Sequence, residues 1–419
     1  MDNDLKYSLI LGTGTSVAAL LSLILTIIIG RILGPAQYGD FVAGLSVVYI
    51  FGVSFRWINL DVSRNASLSF VKGDYFSLRI YLSGLWRKAF GFGAVFLFFA
   101  AVVSGQLASF LNLSSPQLLF LSLLVGVLII LTMIPLGVFL GFHRFWLVSL
   151  LQSCGAFVRL CLGVLLVVYF QSPASCMAAF AVSWALVLLI SFFQLQRSIP
   201  GVSASHNKSE PETVIAINPA IIWLSICWAG FQNIDVFFVK GFMAAGEAGI
   251  YAAVVVAGKA IELIFSPFSL LLMPRLTALY LQDKSVVWAV LRVLFYFIVA
   301  AAPFLVFFSV QPGFVLNILF GKAYAPASTL LLPYGISLML RYISLVIANA
   351  FVVLSNKKFI IIYITGLLSE VACLLVWNDS ILQIIYVVII VQAVTLFFLT
   401  GYFLYIEKKQ SHLHTCDAQ

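Results

Sequence analysis

Charge is what this sequence has least of. Only 9% of its 419 residues are Asp, Glu, Lys or Arg, against roughly 25% in an average soluble protein. The 23 basic and 15 acidic side chains are too few to coat a water-soluble particle of this size, which excludes a soluble enzyme and a disordered chain alike. Cysteine is scarce too. Cys154, Cys161, Cys176, Cys227, Cys373 and Cys416 form no CxxC pair, so a secreted disulfide scaffold is excluded. The first five lie in or beside apolar runs and read as small apolar packers. The four histidines are scattered, and His412 and His414 sit in a polar tail, too isolated to point to a metal centre. No GxSxG, P-loop, HExxH or glycine-rich dinucleotide fingerprint occurs in a credible context. The expectation is therefore a protein that is not an enzyme, has no catalytic residues, metal or cofactor, and does not hydrolyse ATP itself.

What is abundant is apolar surface. Hydrophobic residues make up 63% of the chain, and the mean hydropathy is +1.12. This composition predicts an all-α polytopic membrane protein, since a helix satisfies its backbone polar groups internally and needs about 20 apolar residues to span a bilayer. Twelve transmembrane helices are read, at Ser8–Leu33, Gly39–Val62, Trp86–Leu111, Gln117–Phe142, Phe145–Phe170, Ala174–Gln196, Pro219–Met243, Gly249–Met273, Val286–Val310, Ala327–Ser355, Phe359–Trp377 and Ile381–Ile406. The first follows the acidic Met1-Asp2-Asn3-Asp4 and lacks the basic region and cleavage site of a signal peptide, so it is expected to be retained.

The basic residues set the orientation. With the N-terminus in the cytoplasm, sixteen fall on that side, among them Arg64, Lys72, Arg79, Arg87, Lys88, Arg144 and Arg197, and only Arg31, Lys240 and Lys322 fall outside. The positive-inside rule then predicts both termini cytoplasmic. The three external bases read as interfacial anchors that snorkel, with Arg31 also a candidate for the outer mouth. The net charge of +8 thus reflects cytoplasmic loops, not a nucleic-acid partner. The segment from Leu78 to Phe92, with Arg79, Arg87, Lys88 and Trp86, reads as the start of an interfacial helix against anionic membrane lipids.

Four bases remain, each inside a span: Arg56, Arg159, Lys259 and Arg341. Ionisable residues at membrane depth face protein or water and mark functional sites by default. Arg56 lies 16 positions after Asp40, about 24 Å along a helix, and Lys259 about 15 Å into the eighth span. Against them stand three intramembrane acids, Asp235, Glu262 and Glu370. Two readings stay open. The bases line a cavity for an anionic cargo and the acids bind a coupling proton or sodium ion. Alternatively, Lys259 and Glu262, three positions apart, neutralise each other, and Asp235 and Glu370 partner Arg341 or Arg159. Asp61, near the inner interface, reads as solvated.

The chain also repeats weakly. A shift of 210 residues lays Gly39 of GRILGPAQYGDFVAG on Gly249 of KGFMAAGEAGIYAAV. In each copy a span ends in a basic residue, turns at glycine and leads into the next span. The polar stretch RSIPGVSASHNKSEPET has no apolar period. The resulting expectation is an N-terminal six-helix lobe over 1–197, a cytoplasmic linker over 198–217, a C-terminal six-helix lobe over 218–406 and a cytoplasmic tail over 407–419.

These segments resemble a known group. RILGPAQYGDFVAGLSVV is similar to the first hairpin of bacterial polysaccharide-export flippases, of the multidrug/oligosaccharidyl-lipid/polysaccharide exporter superfamily. NIDVFFVKGFMAAGEAGIYAAV resembles their seventh and eighth spans, LLLMPRLTALY the exit of the eighth, LNILFGKAYAPASTLL the ninth-to-tenth loop and GFHRFWLVSLLQ the fourth-to-fifth loop. The resemblance implies two six-helix lobes forming a V-shaped central cavity. Its O-antigen flippase branch implies a transporter in the bacterial cytoplasmic (inner) membrane. Such a protein moves an undecaprenyl-pyrophosphate-linked oligosaccharide unit, as used for lipopolysaccharide, from the inner to the outer leaflet by alternating access. It also implies ion-gradient coupling by proton or sodium, with polysaccharide polymerase machinery as a partner. A pyrophosphate head cannot cross about 30 Å of hydrocarbon unaided, and cavity cations at Arg56, Arg159, Lys259 and Arg341 would offset its charge. Two alternatives stand beside this: a multidrug or cation exporter on the same scaffold, and a membrane-embedded glycan polymerase. The second would normally carry a large external loop, and the external loops here are short.

Overall fold

A computed structural model describes residues 3–199, 219–280, 282, 285–354 and 356–416. Side chains are described from residue 10 to residue 408, apart from 200–218, 260, 263–275, 277–278, 280–281, 283–284 and 355. The expected linker, from residue 200 onward, lies outside these residues.

The described chain is all helix, with no strand among the described residues. The long helices are α1 (Asn3–Ser54), α2 (Trp57–Lys72), α3 (Tyr75–Phe110), α4 (Pro116–Gly141), α5 (Phe145–Phe170), α6 (Pro173–Ser198), α7 (Pro219–Phe242), α8 (Ala245–Tyr280) and α9 (Val287–Val310). After them come the short α10 (Pro312–Leu319), a 3-10 turn over Lys322–Ala327, α11 (Ser328–Val353), α12 (Phe359–Val376) and α13 (Ile381–Cys416). Among the described residues ten helical stretches are long and apolar enough to cross a membrane. One of them, Ile10–Lys72, has 63 residues, about three times what one crossing needs. Inside it Gly34 leaves helical geometry at φ 71° and ψ 172°, directly before Pro35. That φ is open to glycine and costly for other residues, and the proline lacks the N–H that would restore the ladder.

Helix starts follow the local chemistry. Proline occupies the first turn of α4, α6 and α10, where its missing N–H costs nothing. Gly73 closes α2 in the left-handed region, and Asp74 caps α3 by accepting the Ser77 N–H at 3.0 Å. The Ser77 hydroxyl and N–H together hold the Asp74 carboxyl below its usual range.

Several boundaries differ from the sequence reading; α8 runs on to Tyr280 and α13 to Cys416, and three further differences change the layout. The expected span Gly39–Val62 is interrupted: α1 ends at Ser54 and α2 begins at Trp57. Arg56 N–H bonds to Val53 O at 3.1 Å and Ile58 N–H to Phe55 O at 3.0 Å, a tightened turn between two helices. The third helix starts at Tyr75, not Trp86, so the stretch read as an interfacial start is the first part of one 36-residue helix. The ninth-to-eleventh connection carries α10 and the 3-10 turn, neither of which is visible as an apolar span.

Packing divides the chain into two compact units, residues 1–33 with 40–229 and residues 34–39 with 230–419. In the first unit α4 is central and packs on α2, α3, α5 and α6. It carries no ionisable residue. Gly137 and Gly141, four apart, let α2 approach closely: a Cβ at Gly137 would meet Asn59 O at 2.9 Å, and one at Gly141 would meet Ala66 Cβ at 2.7 Å. Such small-residue contacts drive helix association where no water is expelled. Hydrogen bonds across helices add to them, from Asn59 Nδ2 to Met133 O at 3.2 Å and from Ser183 Oγ to Gly155 O at 2.7 Å. The outward faces are apolar; on α3 they carry Phe90, Val95, Phe98 and Val102, all exposed, as lipid contact requires.

In the second unit α11 is central, against α8, α9 and α13. Unlike α4, its buried face carries Tyr334, Ser337, Arg341, Tyr342 and Ser344. The strap 34–39 belongs to this unit. Tyr38 is fully buried, 5.6 Å from the Phe320 ring and edge-on to Tyr324 at 6.0 Å. Gly39 lies against the Gly249 backbone, where an added Cβ would meet Gly249 N at 2.8 Å, and a Cβ on Gly249 would collide with Pro35 O. The two glycines that the 210-residue shift superposes are each other's neighbours.

Candidate functional site

The second unit holds a buried polar cluster built from five helices. Arg341, at mid-α11, is 0% exposed. Its Nη2 lies 3.0 Å from Asp235 Oδ2 on α7 and 3.8 Å from Glu370 Oε1 on α12. Asp235 is held further by α8, where Tyr251 OH donates to Oδ2 at 2.7 Å, and by the backbone N–H of Val236, which donates to Oδ1 at 2.9 Å. Glu370 Oε2 accepts from Gln392 Nε2 on α13 at 2.7 Å. Tyr334 stands edge-on to Tyr251 with ring centroids 5.7 Å apart, and Tyr342 OH accepts from Gln232 Nε2 at 3.1 Å. Of the two pairings left open by the sequence, both acids join Arg341 and neither joins Arg159. Ion pairs this deep cost desolvation and persist only when their geometry and additional hydrogen bonds offset it.

In the first unit Arg159 on α5 is held differently. Its guanidinium lies 5.0 Å from the Phe180 ring centroid and 5.3 Å from that of Trp184, both on α6. Cation–π contact is its anchor. Its Nε is buried without a hydrogen-bond partner among the described residues.

The remaining candidates are dispersed. Arg56 is exposed at the turn between α1 and α2, Lys259 is half-buried on α8, and Glu262, one turn on, is exposed. Lys240 corrects an expectation. Read as a snorkelling outer anchor, it is 1% exposed at the end of α7. Arg31 and Lys322 are exposed. Asp61, read as solvated, is half-buried and accepts from Tyr81 OH at 2.6 Å and Asn65 Nδ2 at 3.3 Å. Among the described residues no group of three or more His, Cys, Asp or Glu is placed to hold a metal. The sequence reading passed over Tyr251, Gln392 and Gln232. The available signal was a polar side chain inside an apolar run, as in IIVQAV and AGIYAAV.

No family model matches the sequence, and comparison with curated proteins finds no match. Solved structures do match in fold. An inward-facing multidrug resistance MATE family transporter of the MOP superfamily superposes with TM-score 0.72 at 11% identity, over 93% of this chain and 96% of that one. The lipid II flippase MurJ, in an inward closed conformation, gives 0.68 at 14%, over 96% and 90%. A MOP superfamily transporter from Pyrococcus furiosus, described by the reverse polarity of its binding pocket, gives 0.64 at 14%, over 97% and 96%. The chain thus has the fold of these multi-pass membrane transporters.

Proposed function

We propose that this chain is a transporter in the bacterial cytoplasmic membrane, both termini inside. Its cargo is a lipid-linked oligosaccharide on undecaprenyl pyrophosphate, moved from the inner to the outer leaflet by alternating access coupled to an ion gradient. The observation that carries the reading is Arg159. A guanidinium within the membrane, seated on Phe180 and Trp184 and paired with no carboxylate among the described residues, keeps its charge available to an anionic group such as a pyrophosphate. Arg56 and Lys259 supply two further cations in this reading. The lipid II flippase among the fold neighbours supports it by analogy of scaffold.

A second reading has its own support, since a MATE multidrug transporter superposes at 0.72. Deleting the gene separates the two. The flippase reading expects a lipid-linked oligosaccharide to build up facing the cytoplasm, with loss of the surface glycan restored by the wild-type chain and poorly by Arg159→Gln. An unchanged lipid-linked pool together with altered drug tolerance selects the exporter.

A further inference from the structure

The geometry points to α10 as an interfacial helix. Its Phe314–Ile318 edge is seated among the acyl chains of membrane phospholipids, and this seat supports the aromatic pocket that grips the strap 34–39. The inference is independent of the cargo. Only the leaflet, the outer one, rests on the topology of the proposed function.

Helix α10, PGFVLNIL, has eight residues and no charge. Two turns extend about 12 Å, far too little to cross a bilayer. Its sides differ. Val315 and Leu316 are buried, as is Phe320 just past its end. Phe314 and Ile318, one turn apart, are 54% and 52% exposed. Gly313 and Asn317, also exposed, lie about a quarter-turn further round the helix. A face packed on protein, an apolar exposed edge and a small polar edge make the cross-section of a helix lying in the plane of an interface. Phe314 and Ile318 then point toward the acyl chains, and Asn317 toward the headgroups.

The neighbouring surface identifies what covers the apolar edge. Phe314 meets Phe307 of α9 edge-on, with ring centroids 6.1 Å apart. Phe307 is exposed beside Val306 and Val310, at the end of a helix long and apolar enough to cross a membrane. The lipid-facing surface of α9 therefore runs on through Phe307 and Phe314 onto α10. Lys322, shortly after α10, is exposed, and its long stem lets the ammonium reach the phosphate layer. A second copy of this chain fits the edge poorly. Two half-exposed side chains offer on the order of 200 Å², against roughly 800 Å² per partner in a stable complex.

The opposite side of the same segment holds the strap. Phe320 and Tyr324 are buried with ring centroids 5.4 Å apart, and they meet the Tyr38 ring at 5.6 and 6.0 Å. One short stretch thus has phospholipid on one side and the strap's tyrosine on the other. Lifting α10 off the membrane surface loosens a wall of that pocket.

Two measurements test this on the full-length protein, in vesicles of phosphatidylethanolamine and phosphatidylglycerol. In the first, p-benzoylphenylalanine replaces Phe314, Asn317 or Ile318, the vesicles are irradiated, and the intact protein is weighed by mass spectrometry. The expected result is an adduct of one phospholipid at 314 and at 318, several-fold weaker at 317. Protein dimers in place of lipid adducts, equal lipid labelling at all three positions, or no lipid adduct at any, overturn the seat. In the second, amide hydrogen exchange is followed in the strap. Phe314→Ser combined with Ile318→Ser is expected to speed exchange over 34–39 several-fold, and Phe314→Leu combined with Ile318→Leu to keep the wild-type rate. Unchanged exchange in α4 shows that both variants are folded. A strap that exchanges at the wild-type rate in the serine variant overturns the support. If reporter fusions invert the topology while the lipid adducts form as expected, the proposed orientation fails and the lipid seat stands, in the other leaflet.

Discussion

Removing the Arg341 guanidinium would leave Asp235 and Glu370 buried without their cation. Breaking one side of such a cluster typically costs about 3–5 kcal/mol, whereas removing the charges together is far milder. Arg341→Ala is therefore expected to lower the melting temperature sharply, and combining it with Asp235→Asn and Glu370→Gln to recover part of the loss. Equal melting of Arg341→Ala and the wild type would count against the cluster as drawn. The same logic changes how an export defect in Arg341→Ala would be read. Without the melting comparison it reports on folding as much as on transport. At this scale the sequence was informative about which residues matter and silent about who meets whom. Depth in apolar runs singled out Arg341, Asp235 and Glu370. Their pairing brings together residues 106 positions apart, on helices whose rotation about their own axes no local pattern specifies. Arg159 looked like Arg341 in the sequence, and only its neighbours Phe180 and Trp184 separate the two.

Elements were legible where they are long and apolar. Helices α4, α5, α9 and α12 agree with the sequence reading to within a residue or two at each end, since a run of 18–26 such residues admits little else in a bilayer. The turn at Phe55–Arg56 was not legible, because YIFGVSFRWINL has no residue at Phe55 or Arg56 that forbids a helix. Helix α10 was missed because eight residues are too few for a span. The close approach of Gly39 to Gly249 gives a prediction at this level. Gly249→Ala pushes a methyl group into the Pro35 carbonyl, whereas Gly246, three positions earlier, has nothing within 4 Å. Overpacking of this kind costs about 1–3 kcal/mol. Thermal melts should show Gly249→Ala clearly destabilised and Gly246→Ala nearly neutral; similar melts for the two would refute the contact.

For the molecule as a whole, the two halves share a sequence echo and differ in what they bury. The central helix of the first unit carries no ionisable residue and buries only Ser122 and Thr132 as polar side chains, while that of the second carries an arginine and two tyrosines on its buried face. On the proposed reading the anion is handled in the first unit, at Arg159, while the cationic side chain of the second unit, Arg341, is tied up by two carboxylates. The charge bias that orients the chain is a whole-molecule property and is tested as one. A C-terminal green fluorescent protein fusion should fluoresce, since that reporter matures in the cytoplasm. A periplasmic alkaline phosphatase fused at the same point should be inactive. The opposite pair of results would invert the topology.

The strap formed by residues 34–39 also bears on how the protein can be taken apart. By chain order it belongs with the first half, yet its tyrosine is built into the second unit beside Phe320 and Tyr324. A C-terminal fragment cut in the 200–218 segment would therefore be synthesised without a piece of its own interior. Such a split protein cannot be two self-sufficient parts. The C-terminal piece should mature only when the N-terminal piece is made alongside it, or when a short peptide covering residues 34–39 is supplied.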